Sequence, residues 1–350
     1  MNQEKVLIAM SGGVDSSAAA LLAVRAGDRV TGVTLRLHDY GGCGSEQDAA
    51  DAQAVCAALG AGHRIWDARD LFLKEVVDPF AQSYLAGHTP NPCIRCNARL
   101  KFGFLLDKAL EEGAEYIITG HYARVQYDEA RGRWLLKKGL SEQKDQSYVL
   151  YTLTQHQLAH LRLPLGEMDK EAVRALAREA GFANCGKPDS QDICFVLDGA
   201  YARFIWEHTG HTPEPGDFID VDGCILGQHA GIECYTIGQR KGVGLSGAHP
   251  YYVVAKNADR NTVMLGEDED LWREDLTAGE LNWIAFDALT APLRCAARTR
   301  YHQAETPCTV TPGDEGQAEV RFDAPVRAIT PGQAVVFYDG DVVLGGGTIL

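Results

Sequence analysis

The sequence predicts an α/β protein in three parts: a doubly wound parallel sheet, a small, mainly β central domain and a C-terminal antiparallel β-barrel. Three observations support this organisation. Short apolar runs alternate with helical patterns in the first half, turn-rich segments follow after about residue 200, and short strand-like runs recur after about residue 273. We expect the domains to span 1–199, 200–272 and 273–350.

The first half of the chain repeats a strand–helix pattern. Residues 6–10 form a short apolar run that ends in a glycine-containing turn, as buried parallel strands do. A helix should begin near Asp15 or Ser16 and end at Gly27. Further strands are predicted over 29–37, 64–66 and 115–119, and helices over 45–59 and 100–110. Such alternation favours an open parallel sheet with helices on both faces.

The second half of the chain has the composition of β structure. Residues 213–265 are rich in glycine, proline and β-branched residues, with turn signals at Pro215-Gly216 and Asp222-Gly223. Farther on, the runs 308–310, 318–320 and 334–337 are strand-like and recur at short intervals. The first of these regions predicts the central domain, and the second predicts a small barrel.

Composition favours a cytoplasmic protein without membrane contact. The chain has 350 residues, 45% of them hydrophobic, which is enough for a core of ordinary size. No apolar run approaches the roughly 20 residues that span a bilayer, and the N-terminal residues lack the basic-then-apolar order of a secretion signal. Ten cysteines in a chain of this length fit reduced thiols better than a secreted disulfide scaffold.

The charge distribution argues against indiscriminate binding of nucleic acid. The net charge is −15, whereas proteins that coat phosphates are usually basic. Residues 91–144 nevertheless contain ten Lys/Arg against seven Asp/Glu, a local surplus of three. This surplus permits a local surface that faces RNA.

The segment Ser11-Gly12-Gly13-Val14-Asp15-Ser16-Ser17 lies between the first strand and the first helix. Its glycines permit a tight turn that exposes backbone N–H groups, and the helix N-terminus adds positive potential, which suits a pyrophosphate. Asp15 would cap the helix or help to hold Mg²⁺. Because a Walker A ending is absent, cleavage between the α and β phosphates of ATP is favoured over release of the γ-phosphate. The alternative is a capped turn without a ligand.

Two cysteine-containing segments also indicate chemistry: 89–97, with Cys93 and Cys96, and 189–195, with Cys194. A thiol just before a helix and beside Arg95 and Arg99 is expected to have a lowered pKa. One thiol from each segment would suit persulfide chemistry, in which one holds a sulfane sulfur and the other attacks it. Structural zinc is an alternative, but no second CxxC motif supplies further ligands. An iron–sulfur cluster on Cys93, Cys96 and Cys194 is another.

The loop at 11–16 resembles the PP-loop of the N-type ATP pyrophosphatases, which adenylate a substrate oxygen before a nucleophile displaces AMP. That group includes amide-forming synthetases, a tRNA-lysidine ligase and tRNA thiolases. With the cysteine segments added, the chain resembles the bacterial tRNA-specific 2-thiouridylases over essentially its whole length. The matching segments are 9–17, 89–102, 119–122, 144–148, 190–195, 236–244, 299–301 and 330–338.

This resemblance implies roles for individual residues. Cys96 would be the catalytic nucleophile, Cys194 the persulfide carrier and Asp15 a catalytic residue of the loop. The residues implied in ATP binding are Ala9, Met10, Ser11, Gly12, Gly13, Val14, Asp15, Ser16, Leu35 and Gly120. The residues implied in tRNA binding are Asn91, Pro92, Cys93, His121, Lys144, Asp145, Gln146, Arg300, Tyr301 and Gln333. Some family members have aspartate in place of Cys93, which leaves the pairing of the thiols open.

The implied activity is ATP-dependent 2-thiolation of the wobble uridine of tRNA. The anticodon stem-loop would dock, and the unstacked uridine would be adenylated with ATP and Mg²⁺. A sulfur-relay protein would load Cys194 with a persulfide, and a reductant would reopen a Cys96–Cys194 disulfide. Two other functions stay open: an amide-forming synthetase with the same loop, and a non-catalytic module that binds ATP or RNA.

Overall fold

The computed structural model describes residues 4–39, 43–188, 193–196, 199–245 and 249–350. Residues 189–192 of the second cysteine segment therefore lie outside the described residues, whereas Cys194 lies within them.

The N-terminal part alternates strands and helices as predicted. Its strands are β1 (Lys5–Ala9), β2 (Arg29–Arg36), β3 (Gly62–Asp67), β4 (Tyr116–Ile118), β5 (Ala123–Asp128), β6 (Arg133–Lys138) and β7 (Leu161–Arg162). Its α-helices are α1 (Val14–Ala26), α2 (Glu46–Ala58), α3 (Arg69–Phe72), α4 (Asp78–Leu85), α5 (Pro92–Cys96), α6 (Leu105–Glu111), α7 (Gln155–Ala159) and α8 (Lys170–Glu179). π-helical segments at Leu73–Val77 and Asn97–Phe104 join α3 to α4 and α5 to α6, and 3₁₀ turns lie at Ser147–Leu150 and Ala183–Gly186.

Five of these strands form a parallel sheet in the order β3-β2-β1-β4-β7. Helices α1 and α8 contribute to the apolar core on one face, and α4, α5 and α6 contribute to the core on the other. Helix α1 ends at Gly27, whose φ of 93° is favourable for glycine at a helix C-terminus. The predicted doubly wound sheet is confirmed.

The central part is small and mainly β, as predicted. Helix α9 (Tyr201–Thr209) precedes β8 (Gly216–Ile219), β9 (Ile225–His229), β10 (Tyr252–Asn257) and β11 (Thr262–Gly266). These strands form a sheet in the order β10-β11-β8-β9, with 3₁₀ turns at Ile232–Cys234 and Asp268–Leu271. Phe218, Val253 and Leu265 lie in its separate apolar core.

The C-terminal part is a closed antiparallel barrel. Its strands are β12 (Trp272–Trp283), β13 (Leu293–Arg298), β14 (Thr306–Pro312), β15 (Ala318–Arg327), β16 (Ala334–Asp339) and β17 (Val342–Ile349), with a 3₁₀ turn at Asp314–Gly316. The order β12-β15-β14-β13-β16-β17 is closed by pairing of β12 with β17. Closure removes the free edges of the sheet, and the predicted barrel is confirmed.

One part of the barrel sheet comes from the N-terminal half of the chain. Strands β5 and β6 form an antiparallel hairpin, and β6 pairs with β17 through Val343↔Leu136. The strands predicted from sequence do not include this segment. The hairpin therefore attaches the barrel to the parallel-sheet domain.

Candidate active site

A cavity of about 330 Å³ opens at the carboxyl ends of β1, β2 and β4. The order of the parallel sheet reverses between β1 and β4, and such switch points are where open α/β sheets usually bind ligands. Many predicted site residues line it: Ala9, Met10, Ser11, Asp15, Ser16, Leu35, Pro92, Cys93, Cys96, Gly120, His121, Gln146 and Cys194. The nucleotide loop and the thiols therefore share one cavity.

The loop between β1 and α1 is held tightly by its own hydrogen bonds. The Ser16 and Ser17 hydroxyls donate to the carbonyl oxygen of Gly13, over 3.0 and 2.9 Å. Asn184 donates through its amide to the carbonyl oxygen of Gly12 at 2.9 Å. Since these serine hydroxyls are engaged within the loop, the donors best placed for a phosphate are the N–H groups of the first turn of α1.

Two glycines of the site have no room for a side chain. Gly12 has a φ of +69°, and a Cβ there would lie 2.5 Å from the carbonyl oxygen of Asp48. A Cβ on Gly120 would lie 2.7 Å from the carbonyl carbon of Asp15. Gly12 packs the loop onto α2, and Gly120 packs the end of β4 onto the loop. Both contacts are between backbones.

Asp15 forms an ion pair within the protein. The Lys170 ammonium lies 2.7 and 2.8 Å from the two carboxylate oxygens of Asp15, and the Tyr122 hydroxyl donates to the same carboxylate at 2.7 Å. Residue Gly13 is the N-cap of α1, without a side-chain cap. The expectation that Asp15 caps the helix is therefore wrong. An ammonium group already neutralises this carboxylate, so it does not fit the alternative role of holding Mg²⁺ by itself.

Cys93 and Cys96 lie inside a helix and not in a loop before one. Asn91 caps α5 by accepting from the Cys93 N–H at 3.1 Å, and Pro92 is the first helical residue, a position that proline favours. The helical path continues through the π-helical segment into α6. The predicted start of this helix near residue 100 was too late by about two turns.

The expected lowering of the thiol pKa is contradicted. Burial raises the pKa of Cys93 and raises that of Cys96 to about 11. Arg95 and Arg99 point toward Glu75, 3.9 and 3.8 Å from its carboxylate. The cation that lowers the pKa of both thiols is instead Lys101, which lines the cavity.

Cys194 reaches the same end of the cavity from a distant part of the chain. Its thiol is hydrogen-bonded to that of Cys43, and this bond, with burial, raises the pKa of Cys194. Cys93 and Cys96 also interact with Cys194 through space. Four thiols thus face one another across the cavity. Within the described ranges, no group of three or more His, Cys, Asp or Glu side chains is arranged to hold a metal ion. The iron–sulfur cluster on Cys93, Cys96 and Cys194 stays a prediction.

Four residues predicted to contact tRNA line the cavity: Pro92, Cys93, His121 and Gln146. His121 bonds through Nδ1 with the Thr119 hydroxyl at 2.7 Å, and burial lowers its pKa well below the usual value. The imidazole is therefore neutral at physiological pH. Gln146 accepts from the Tyr122 N–H at 3.0 Å and is held at the cavity wall.

Other residues predicted to contact tRNA lie where the domains meet. Asp145 is 5% exposed, and its carboxylate accepts from Gly139, Ser147 and Arg298. This burial favours a structural role for Asp145.

Arg300 and Gln333 likewise use their side chains within the protein. Arg300 donates to the carbonyl oxygens of Ile237 and Ala328 at 2.9 and 3.1 Å, which joins the central domain to the barrel. Gln333 donates to the carbonyl oxygen of Thr89 at 2.7 Å, which joins the barrel to the segment before α5.

The last two residues of this group lie near the protein surface. Tyr301 packs edge-on against Tyr148, and burial raises its pKa to about 12. Lys144 is half-buried in the turn that follows the hairpin. Their contacts with RNA stay predictions.

Sequence reasoning missed several residues of the site. Cys43 and Lys101 line the cavity, and Lys170 pairs with Asp15. Lys101 was detectable, because it lies eight residues, about two turns, after Cys93 on a helix whose N-terminal signals are Asn91 and Pro92. No sequence pattern around Lys170 indicates that it pairs with Asp15.

Among the described residues, no helix is both long and apolar enough to cross a membrane.

Comparison with known proteins accounts for nearly the whole chain. A family model described as the tRNA methyl transferase HUP domain matches residues 4–198. A model described as the tRNA methyl transferase PRC-barrel domain matches 202–267, and one described as the aminomethyltransferase beta-barrel domain matches 273–349.

Curated relatives match over all or nearly all of their length. The tRNA-specific 2-thiouridylase MnmA of Acetivibrio thermocellus is 47% identical over 100% of both chains. The proteins of the same name from Moorella thermoacetica and Symbiobacterium thermophilum are 49% and 48% identical, over 98% and 99% of this chain and 98% and 92% of their own. With identity at this level over the whole length, the chain belongs to the tRNA-specific 2-thiouridylase family.

Proposed function

We propose that this protein uses ATP to replace the 2-oxygen of the wobble uridine of tRNA with sulfur. The observation that supports this most strongly is that a glycine-rich phosphate loop and the Cys96 and Cys194 thiols line one cavity. The names of the curated relatives support the same reaction. An amide-forming synthetase would need the loop but would have no use for the thiols.

In the first half-reaction the uridine 2-oxygen attacks the α-phosphate of ATP, and pyrophosphate leaves. The first-turn N–H groups of α1 stabilise negative charge on the phosphates. Gly12 and Gly120 keep the loop in place, because a side chain at either position would displace backbone. The reactive edge of a base cannot be reached within the stack, so the uridine must leave the anticodon stack to enter the cavity.

In the second half-reaction sulfur replaces AMP. A persulfide-donating sulfur-relay protein loads Cys194, and the Cys96 thiolate attacks the Cys194 sulfur. The released sulfide, now carrying the electron pair of the broken S–S bond, attacks C2 of the adenylated uridine and expels AMP. The two cysteines end as a disulfide, which a reductant must reopen. Ten cysteines in a chain of 350 residues suit a reducing compartment such as the cytoplasm better than a secreted disulfide scaffold.

The experiment follows labelled sulfur and adenylation separately. We expect Cys194→Ser to release pyrophosphate in the presence of tRNA but to accept no labelled sulfur from a persulfide donor. Cys96→Ser should keep the label on the protein without passing it to RNA. Mass analysis of tRNA nucleosides detects the product. Formation of 2-thiouridine by Cys194→Ser at the wild-type rate would exclude the proposed carrier.

A further inference from the structure

The proposed reaction does not use Cys43, yet the Cys43 thiol is hydrogen-bonded to that of Cys194. Cys43 precedes Gly44, whose φ is +83° and whose Cβ would lie 2.5 Å from the carbonyl oxygen of Leu35. The Gly44 N–H also donates to the Asp48 carboxylate at 3.1 Å. These contacts fold the loop against the end of β2 and direct the Cys43 thiol into hydrogen-bonding contact with Cys194.

The thiols differ in their access to solvent. Cys96 is only 9% exposed, whereas Cys43 and Cys194 are both partly exposed. A protein reductant must bring its own thiolate into line with a disulfide sulfur, so a disulfide that includes buried Cys96 is more difficult to reach. A disulfide that includes Cys43 would lie nearer to the surface.

We propose that Cys43 is a relay thiol that moves the Cys194 disulfide from buried Cys96 to a position that a reductant can reach. The proposal rests on the function proposed above. The Cys43 thiolate attacks the Cys194 sulfur, the Cys96–Cys194 bond breaks, and Cys96 leaves with the electron pair and takes up the proton that Cys43 lost. This exchange involves no net oxidation. An external dithiol then reduces the Cys43–Cys194 disulfide and is itself oxidised to a disulfide, which leaves all the thiols ready for the next turnover.

The test separates one turnover from many. Protein loaded with one labelled sulfur is mixed with ATP and excess tRNA, first without reductant and then with a thioredoxin-type dithiol protein. We expect Cys43→Ser to match wild type in pyrophosphate release and in the first equivalent of 2-thiouridine. Its steady-state rate with the dithiol protein should fall by about tenfold or more. The matched control is Cys224→Ser, whose exposed thiol lies in the central domain and should leave both rates unchanged.

Disulfide mapping provides a second test, which compares the wild-type protein with Cys43→Ser. After one turnover without reductant, the non-reduced peptides should contain a Cys43–Cys194 disulfide, and Cys43→Ser should contain Cys96–Cys194 instead. Exclusive Cys96–Cys194 in wild type, or an unchanged steady-state rate in Cys43→Ser, would overturn the relay. Absence of any 2-thiouridine in the first turnover of wild type would instead refute the function on which the relay rests.

Discussion

Replacing Gly12 with alanine tests whether the geometry of the phosphate loop determines adenylation. The new Cβ would lie 2.5 Å from the carbonyl oxygen and 2.7 Å from the Cα of Asp48. Asp48 cannot move easily, because its side chain is bonded to the Gly44 N–H and, at 2.7 Å, to the Lys187 ammonium. The loop must therefore be displaced.

The expected loss of folding stability in Gly12→Ala has two causes, and a second variant separates them. A left-handed backbone costs a residue with a Cβ about 1–2 kcal/mol, and overpacking adds about 1–3 kcal/mol. Gly60 has nearly the same φ, +67°, but no atom within 4 Å of its Cβ position. Gly60→Ala should therefore show the first cost alone, and the difference between the two variants isolates the clash.

Two measurements decide the outcome. Denaturant unfolding should rank Gly12→Ala below Gly60→Ala by about 1–3 kcal/mol. Shifting the loop to relieve half or more of that strain would move the phosphate-binding N–H groups out of place. A loss of about 1.4 kcal/mol of transition-state stabilisation corresponds to a tenfold lower rate. We therefore expect tRNA-dependent pyrophosphate release to fall by about tenfold or more in Gly12→Ala. It should be unchanged in Gly60→Ala, and tRNA affinity should be retained by both. Equal stabilities, or wild-type pyrophosphate release by Gly12→Ala, would refute the reasoning.

Three further predictions concern charge. Lys101→Met removes the cation that lowers the pKa of Cys96, so the pH at half-maximal single-turnover sulfur transfer should rise by about one unit. Replacing both exposed Arg240 and Lys241 with alanine should reduce the salt slope of tRNA affinity by about 0.7–0.9 for each phosphate that the protein no longer neutralises, measured from dilute to physiological salt. Burial lowers the pKa of Lys256 from 10.5 to about 8, so between those pH values the unfolded chain binds the proton and the folded protein does not. The free energy of unfolding should then rise with pH by about 3 kcal/mol over that window, relative to Lys256→Met, in denaturant titrations.

Each of these predictions has a control or a contradicting outcome. Lys108 lies in α6, which continues from the π-helical segment that contains Lys101. It packs over the Trp66 ring at 4.4 Å, so Lys108→Met should leave the pH profile unchanged. An unaltered salt slope in the double variant would show that the turn at 238–242 does not meet phosphate. Parallel curves of stability against pH for wild type and Lys256→Met would contradict the buried-lysine argument.

The fold was largely predictable because its signals are local. The apolar run before Ser11 and the small-residue helix after Gly13 place a phosphate loop at the end of a buried strand without reference to the rest of the chain. The hairpin of β5 and β6 has signals of the same kind, a turn at Gly132 between two strand-like runs. Its partner β17, however, lies far along the sequence, so its place in the barrel is a property of tertiary structure.

The sign of the thiol pKa shifts was not predictable from neighbours in sequence. Arg95 and Arg99 are close to Cys96 along the chain, but residues four apart share one helix face, and that face meets Glu75. Cys93, Cys96 and Lys101 lie on the face toward the cavity. If the predicted helix had begun at its cap, Asn91, the spacing of four would have placed Lys101 on the same face as Cys93.

The residues predicted to contact RNA divide into two kinds by what their side chains already bind. Arg300 and Gln333 donate to backbone carbonyl oxygens of other domains, and Asp145 is buried among donors. A residue that meets phosphate changes the salt dependence of binding when it is removed, because fewer counterions are released. A residue that only holds the barrel against the parallel-sheet domain weakens binding while the salt slope stays the same. The slope, and not the affinity, therefore distinguishes an RNA contact from a domain contact at these positions.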